Sequence, residues 1–141
     1  MSTLERAISI AAEAHAGQAD KAGERYILHP LRVMLALSTD DERIVGVLHD
    51  VVEDCAGWSF DRLRAEGFSE AVVSGIAAVT RNSDEDYFTF VRRAAQHPIG
   101  RTVKLADLRD NSNLERIAKP SAADRERLDR YRRAIDMLDQ N

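Results

Sequence analysis

No stretch of this chain alternates apolar and polar residues as a strand does, whereas apolar residues recur at helical spacing from Leu4 to Leu138. That period belongs to helices burying one face, and it predicts an all-α fold, a single-domain helical bundle over residues 1–141. Leu4, Ala7, Ile8, Ala11, Ala12 and His15 define a first helix, with Thr3 as its N-cap and Gly17 as its end. A polar loop follows from Gly17 to Arg25. His29-Pro30 is expected to open the second helix with proline at its first position, where a missing N–H costs nothing. Asp40 or Asp41 is expected to cap a third helix that carries Ile44, Val45, Val47, Leu48, Val51 and Val52 and runs on to Asp54, before Gly57. Ser59 and Ser69 cap helices through Leu63 and Val79. Asp84-Glu85-Asp86 reads as the acidic first turn of a segment with Tyr87, Phe88, Phe90 and Val91. After Pro98 a long helix runs through Leu105, Leu108 and Ile117. Lys119-Pro120-Ser121 is a turn, and the last helix spans Ala122 to Leu138.

The hydrophobic share of 44% supplies a core, but aromatics are only 6%, so aliphatic side chains must fill most of it. The formal net charge of −4 weighs against a general DNA or RNA partner. No apolar run reaches the length of a membrane span, the first residues lack the build of a signal peptide, and Cys55 has no second cysteine to pair with. A cytoplasmic protein without membrane attachment is expected.

The run His49-Asp50-Val51-Val52-Glu53-Asp54 carries the chemistry. On a continuous helix these four polar residues form one stripe, since residues four apart lie one above the other. Three carboxylates and an imidazole on one stripe repel each other and lose hydration when buried. A divalent metal relieves that, and acids left free of it handle protons. His29 and Asp107 extend the set to two imidazoles and two carboxylates, a mixed N/O donor group suited to Mn, Fe or Zn. Lys104, Asp107 and Asn111 share a helix face, so an ammonium and an amide stand beside the carboxylate, ready to meet a phosphate or sugar oxygen. Glu53 and Asp54 are too many to be ligands as well and are left to orient the attacking water, accept its proton or protonate a leaving oxygen.

Other polar residues read as structural. His15 is expected to pack at its helix end, His97 to lie at the surface, and the arginines from Arg125 to Arg133 to form a solvated helix face. Carboxylates beside Cys55 raise its thiol and argue against a nucleophile.

Taken in order, His15-x-Gly17-Gln18, Lys21-x-Gly23-Glu24-x-Tyr26-Ile27-x-His29-Pro30, Leu48-His49-Asp50-Val51-Val52-Glu53-Asp54 and Val103-Lys104-Leu105-Ala106-Asp107 with Asn111 resemble the HD-domain hydrolases of the RelA/SpoT group, which remove pyrophosphate from the 3′ position of (p)ppGpp. The likeness runs from the first helix to about Asn113, and at this length it is to the stand-alone small alarmone hydrolases. It implies an HD-type all-helical fold and a metal, typically Mn²⁺, held by His29, His49, Asp50 and Asp107. It also implies Glu53 and Asp54 as the catalytic acidic pair, and substrate contacts at Lys21, Lys104 and Asn111.

The chain departs from the family at Ala19 and Asp20, where members acting on guanosine alarmones usually carry two arginines, one of which packs on the base. Three functions therefore stand side by side. They are a (p)ppGpp 3′-pyrophosphohydrolase, the same chemistry on another phosphorylated nucleotide such as an adenine alarmone or NADPH, and a non-catalytic nucleotide-binding protein.

Overall fold

The computed structural model describes residues 2–113 and 119–139, and among them all regular structure is helical, with one isolated β-bridge between Ala19 and Arg25. The all-α expectation holds. Helix α1 (Leu4–Ala14) starts at Thr3, whose hydroxyl accepts from Arg6 N at 3.1 Å, and it buries Ala7, Ile10 and Ala11. His15 closes it, and Gly17 turns the chain away at φ +85°, a conformation that a side chain would strain. Helix α2 (Leu28–Leu35) begins before His29, so Pro30 is its third residue rather than its first. Proline is tolerated there too, because N–H groups of the first turn have no partner inside the helix.

Helix α3 (Asp40–Leu48) lies at the centre, packed by α1, α2, the sixth helix and the eighth. Every residue from Ile44 to Leu48 is buried. Its cap is Thr39, which forms a reciprocal capping box with Glu42; Asp40 and Asp41 sit inside the first turn, where they favour the positive end of the helix. The helix does not run on to Asp54. It ends at Leu48, and a separate turn, α4 (Val51–Asp54), follows. His49 and Asp50 are the joint between the two.

Helices α5 (Phe60–Ala65) and α6 (Glu70–Ala78) start at Ser59 and Ser69 as expected. Helix α7 (Tyr87–Ala95) starts later than the acidic run suggests. Asp86 is the N-cap, and Glu85 lies before the helix, held by Arg93. Arg93 also donates to the Ala77 and Thr80 carbonyls at 2.9 and 2.7 Å, so one guanidinium ties α7 to the end of α6. Helix α8 (Pro98–Asn111) is capped by His97, half-buried with its Nδ1 accepting from Gly100 N at 3.1 Å; it is a cap, not a free surface residue. The helix ends at Ser112, short of Ile117, which lies outside the described residues. Helix α9 (Ala122–Asp139) closes the described chain, and Arg101 donates to its Leu138 carbonyl at 3.0 Å.

Two apolar clusters hold these elements. The larger gathers Ile10, Val33, Val45, Leu48, Val51, Leu63, Val73 and Ile76 around α3, and the smaller joins Val91, Leu108, Ala134 and Leu138 where α7, α8 and α9 meet. Fully burying a side chain of this kind contributes about 1.5–3 kcal/mol, so the five consecutive buried residues Ile44 to Leu48 anchor α3, and with it the His49–Asp50 joint at its end. No helix among the described residues is long and apolar enough to cross a membrane.

Candidate metal and nucleotide site

His49 and Asp50 form the turn between α3 and α4 and keep near-helical backbone angles there, and the polar ends of their side chains meet. His49 Nε2 and Asp50 Oδ2 stand 3.1 Å apart. From α2, His29 Nε2 comes within 3.9 Å of the same oxygen, and its ring packs edge-on to His49 with centroids 5.2 Å apart. From α8, Asp107 Oδ1 lies 2.9 Å from His29 Nε2 and 3.3 Å from His49 Nε2. Helix α2, the α3–α4 joint and helix α8 thus bring His29, His49, Asp50 and Asp107 together, and all but Asp50 are buried.

Each imidazole is oriented from behind. His49 Nδ1 donates to the Gly46 carbonyl at 2.6 Å, and a carbonyl can only accept, so that nitrogen carries the proton. His29 Nδ1 donates to Asp110 Oδ2 at 2.6 Å, and Arg32 holds the same carboxylate through Nε at 2.7 Å and Nη2 at 3.1 Å. Both Nε2 atoms therefore face the two aspartates, bonding them through a proton when no ion is bound and free to offer a lone pair to an ion that replaces that proton. Tyr26 donates to Asp50 Oδ2; burial and the neighbouring Asp50 carboxylate hold its phenol well above the usual range, so it remains a donor.

The electrostatics match a cation site. Burial alone would make His49 neutral, but Asp50 and Asp107 outweigh it and raise the imidazole well above its ordinary value. His29 is raised likewise, burial being overcome by its bonds to Asp107 and Asp110. Against the penalty of burial, Lys104 and the two imidazoles hold Asp107 well below the usual carboxylate range. The carboxylates thus call for positive charge, which protons on the two rings provide and which a divalent ion would provide in their place. Ligands about 2.1 Å from an ion stand about 3–3.4 Å from their neighbours; the His49–Asp50 and His49–Asp107 separations of 3.1 and 3.3 Å match that, and the 3.9 Å between His29 Nε2 and Asp50 Oδ2 is wider.

Glu53 and Asp54 project from α4 into solvent, with a carboxylate oxygen of each within 4.8 Å of the other and of Asp50. Burial and then Asp50 raise both groups, which suits acids that exchange protons. Lys104 stands on the face of Asp107, as its spacing predicts. It is 8% exposed and donates to Asp107 Oδ2 at 2.9 Å, with Nζ 4.8 Å from the Phe90 ring centre, so its first observable task is to hold Asp107. Asn111 Nδ2 also donates to Asp107 Oδ1, at 3.1 Å.

Beside the cluster opens a cavity of 390 Å³, lined by Lys21, Tyr26, Asn111, Arg127, Leu128 and Tyr131 among others. Tyr26 and Asn111 connect it to the cluster through their bonds to Asp50 and Asp107. Arg127 is half-buried at this wall and paired with Asp124, so the arginines of α9 do not all belong to a solvated face. His15 closes α1 as expected and is 1% exposed, bonded through Nδ1 to Gln18 Oε1 at 2.8 Å. Sequence reasoning assigned no role to Tyr26 or Asp110. Each lies three residues from a proposed ligand, and that spacing was the signal available.

The family model described as HD domain matches residues 7–135. The chain belongs to the HD-domain family. Among curated HD-domain relatives, it is 33% identical over 120 residues to a guanosine-3′,5′-bis(diphosphate) 3′-pyrophosphohydrolase of Aquifex aeolicus, covering 77% of this chain and 17% of that protein. It is 32% identical over 112 residues to the Vibrio cholerae protein of the same name, covering 76% and 15%. A probable GTP pyrophosphokinase of Mycobacterium leprae is 30% identical over 132 residues, covering 85% and 17%. The chain thus spans about a sixth of the length of these relatives. The HD-domain fold also matches the solved structure of a metazoan SpoT ortholog, reported to hydrolyse ppGpp, with a TM-score of 0.79 at 22% identity over 99% of this chain and 87% of that one.

Proposed function

We propose that this protein is a metal-dependent phosphohydrolase that releases pyrophosphate from the 3′ position of (p)ppGpp, with Mn²⁺ as its ion. The convergence of His29 Nε2, His49 Nε2, Asp50 Oδ2 and Asp107 Oδ1 beside a cavity of nucleotide size carries this reading. His29, His49, Asp50 and Asp107 hold the ion. A divalent ion bound there supplies Lewis acidity, lowering the pKa of water and offsetting phosphate charge. Lys104 and Asn111 keep Asp107 in place. Glu53 accepts the proton of the attacking water as its oxygen bonds to the 3′-linked phosphorus. Asp54 supports proton transfer to the ribose 3′ oxygen as its bond to phosphorus breaks, so that pyrophosphate leaves together with the nucleoside 5′-diphosphate from ppGpp or the 5′-triphosphate from pppGpp. Lys21 and Asn111, lining the cavity, contact the nucleotide.

A second reading keeps this chemistry and changes the base, and one observation favours it. Asp20 Oδ1 accepts from Ala22 N and Glu24 N, both at 2.9 Å, and Ala19 pairs with Arg25 in the bridge. These two positions shape the loop and present no guanidinium to a base. Adenine alarmones and NADPH therefore belong in the substrate panel beside ppGpp. Protein freed of metal and reloaded with Mn²⁺ is expected to hydrolyse one class of these phosphorylated nucleotides and to stop on chelation. Nucleotide binding without turnover of any of them would instead indicate a non-catalytic nucleotide-binding protein.

A further inference from the structure

His15 is neither a ligand nor an acid of the site, yet its imidazole touches three elements that build it. It lies at the end of α1 and is 1% exposed. Its Nδ1 donates to Gln18 Oε1 at 2.8 Å. Its ring packs against Tyr26 with centroids 4.9 Å apart, and Cys55 Sγ stands 3.4 Å from Nδ1. Gln18 and Tyr26 are the two ends of one hairpin. Tyr26 N donates to the Gln18 carbonyl at 2.9 Å, Ala19 pairs with Arg25 beyond it, and Asp20 N donates to the Glu24 carbonyl at 2.8 Å. That hairpin presents Ala19, Asp20, Lys21 and Ala22 to the 390 Å³ cavity. Cys55 directly follows Glu53 and Asp54 and ends α4. The amide of Gln18 closes the triangle, its Nε2 reaching Cys55 Sγ at 3.8 Å. One buried imidazole therefore holds both ends of the hairpin against the end of α4. Its second nitrogen, Nε2, is buried with no hydrogen-bond partner among the described residues. An unpaired buried nitrogen costs stability that a phenyl ring of similar shape would not. Packing alone thus favours phenylalanine at this position, and what an imidazole adds is the Nδ1 bond to Gln18.

We propose that His15 is a positioning residue for nucleotide binding: by holding Gln18 and Tyr26 against the end of α4, it fixes the hairpin that presents Lys21 to the cavity. This rests on the phosphohydrolase reading above. Lys21 stands at the tip of the hairpin, so the placement of its ammonium follows the hairpin's two ends, and loss of the Nδ1 bond weakens binding rather than chemistry. His15→Phe keeps a ring against Tyr26 and removes that bond, and Gln18→Leu removes it from the other side. In Mn²⁺-loaded protein, each variant is expected to raise KM for the nucleotide it hydrolyses, and the calorimetric Kd for GDP and ADP, about ten-fold at unchanged kcat and Mn²⁺ content. The double variant is expected to bind no more weakly than either single one, because both remove the same bond. Destabilisation alone would instead lower kcat in proportion to the unfolded fraction and leave KM as it is. Wild-type Kd in either variant, additive losses in the double variant, or no binding of either nucleotide by the wild type would overturn the assignment. A wild type that binds GDP or ADP in a His15-dependent way yet leaves ppGpp and the other nucleotides of the panel intact would sustain it and remove the hydrolase reading alone.

Discussion

Replacing Asp110 by alanine tests how the imidazole of His29 is held. Its carboxylate accepts from His29 Nδ1 at 2.6 Å and from Arg32 Nε at 2.7 Å, and its side chain is 12% exposed. Without it, nothing described here fixes the proton of His29 on Nδ1, and Nε2 no longer presents its lone pair to the ion in one orientation. Groups that orient a ligating histidine in this way typically contribute 10–100-fold to metal affinity, or about 1.4–2.7 kcal/mol. Leaving the buried Nδ1–H unpaired costs the fold a further ~1–3 kcal/mol. Arg32 is one-third exposed, so Arg32→Ala is expected to cost less than about 1 kcal/mol and to spare most of the metal affinity. Mn²⁺ affinity is read by competition with a fluorescent chelator, and stability by urea denaturation of the metal-free proteins. Asp110→Ala that folds and binds Mn²⁺ as tightly as the wild type would refute this account of His29.

Four further outcomes are expected. Asp107→Ala removes a ligand and should abolish stoichiometric metal, whereas Glu53→Gln should retain metal and fold but lose most turnover; mass spectrometry of metal content checks both, and metal loss in Glu53→Gln would break the division between ligands and acids. A Cβ at Gly100 would stand 2.8 Å from Ala78 Cβ and 3.2 Å from the Ala94 carbonyl oxygen, so Gly100→Ala should lose about 1–3 kcal/mol in chemical denaturation. Arg93 holds Glu85 below the ordinary carboxylate range, so the unfolded chain takes up that proton at higher pH than the folded one. The resulting stability is present above the unfolded pKa of about 4.3 and is lost as pH falls through the folded value. The stability gap between wild type and Glu85→Gln should therefore widen from pH 3 to pH 5 and then level off, and a gap independent of pH would contradict the pair.

Helix starts marked by a single hydroxyl, at Thr3, Ser59 and Ser69, were legible in the sequence because one residue both ends the extended chain and satisfies a free N–H. Thr39 was masked by the acids after it, since Asp40 and Asp41 are also good caps and only the reciprocal bond with Glu42 decides between them. The break at His49–Asp50 was illegible, because Leu48 and Val51 keep the apolar period across it. His49 and Asp50 keep near-helical backbone angles through that turn, so the reading of one stripe named the right residues although the helix is interrupted there. Spacing also placed Lys104 on the face of Asp107, but it could not show that the ammonium is buried on that carboxylate. Tyr26 and Asp110 escaped because their roles depend on which side chain of a neighbouring helix they meet.

The central claim is that the His29, His49, Asp50 and Asp107 cluster holds a divalent ion for pyrophosphate release, with Glu53 moving the proton. The most direct measurement is product analysis of ppGpp incubated with Mn²⁺-loaded protein, beside Glu53→Gln carrying the same metal. Guanosine diphosphate and pyrophosphate in equal amounts from the wild type, absent from the variant, is the predicted result. Intact ppGpp with stoichiometric Mn²⁺ bound, or equal release by both proteins, would contradict it.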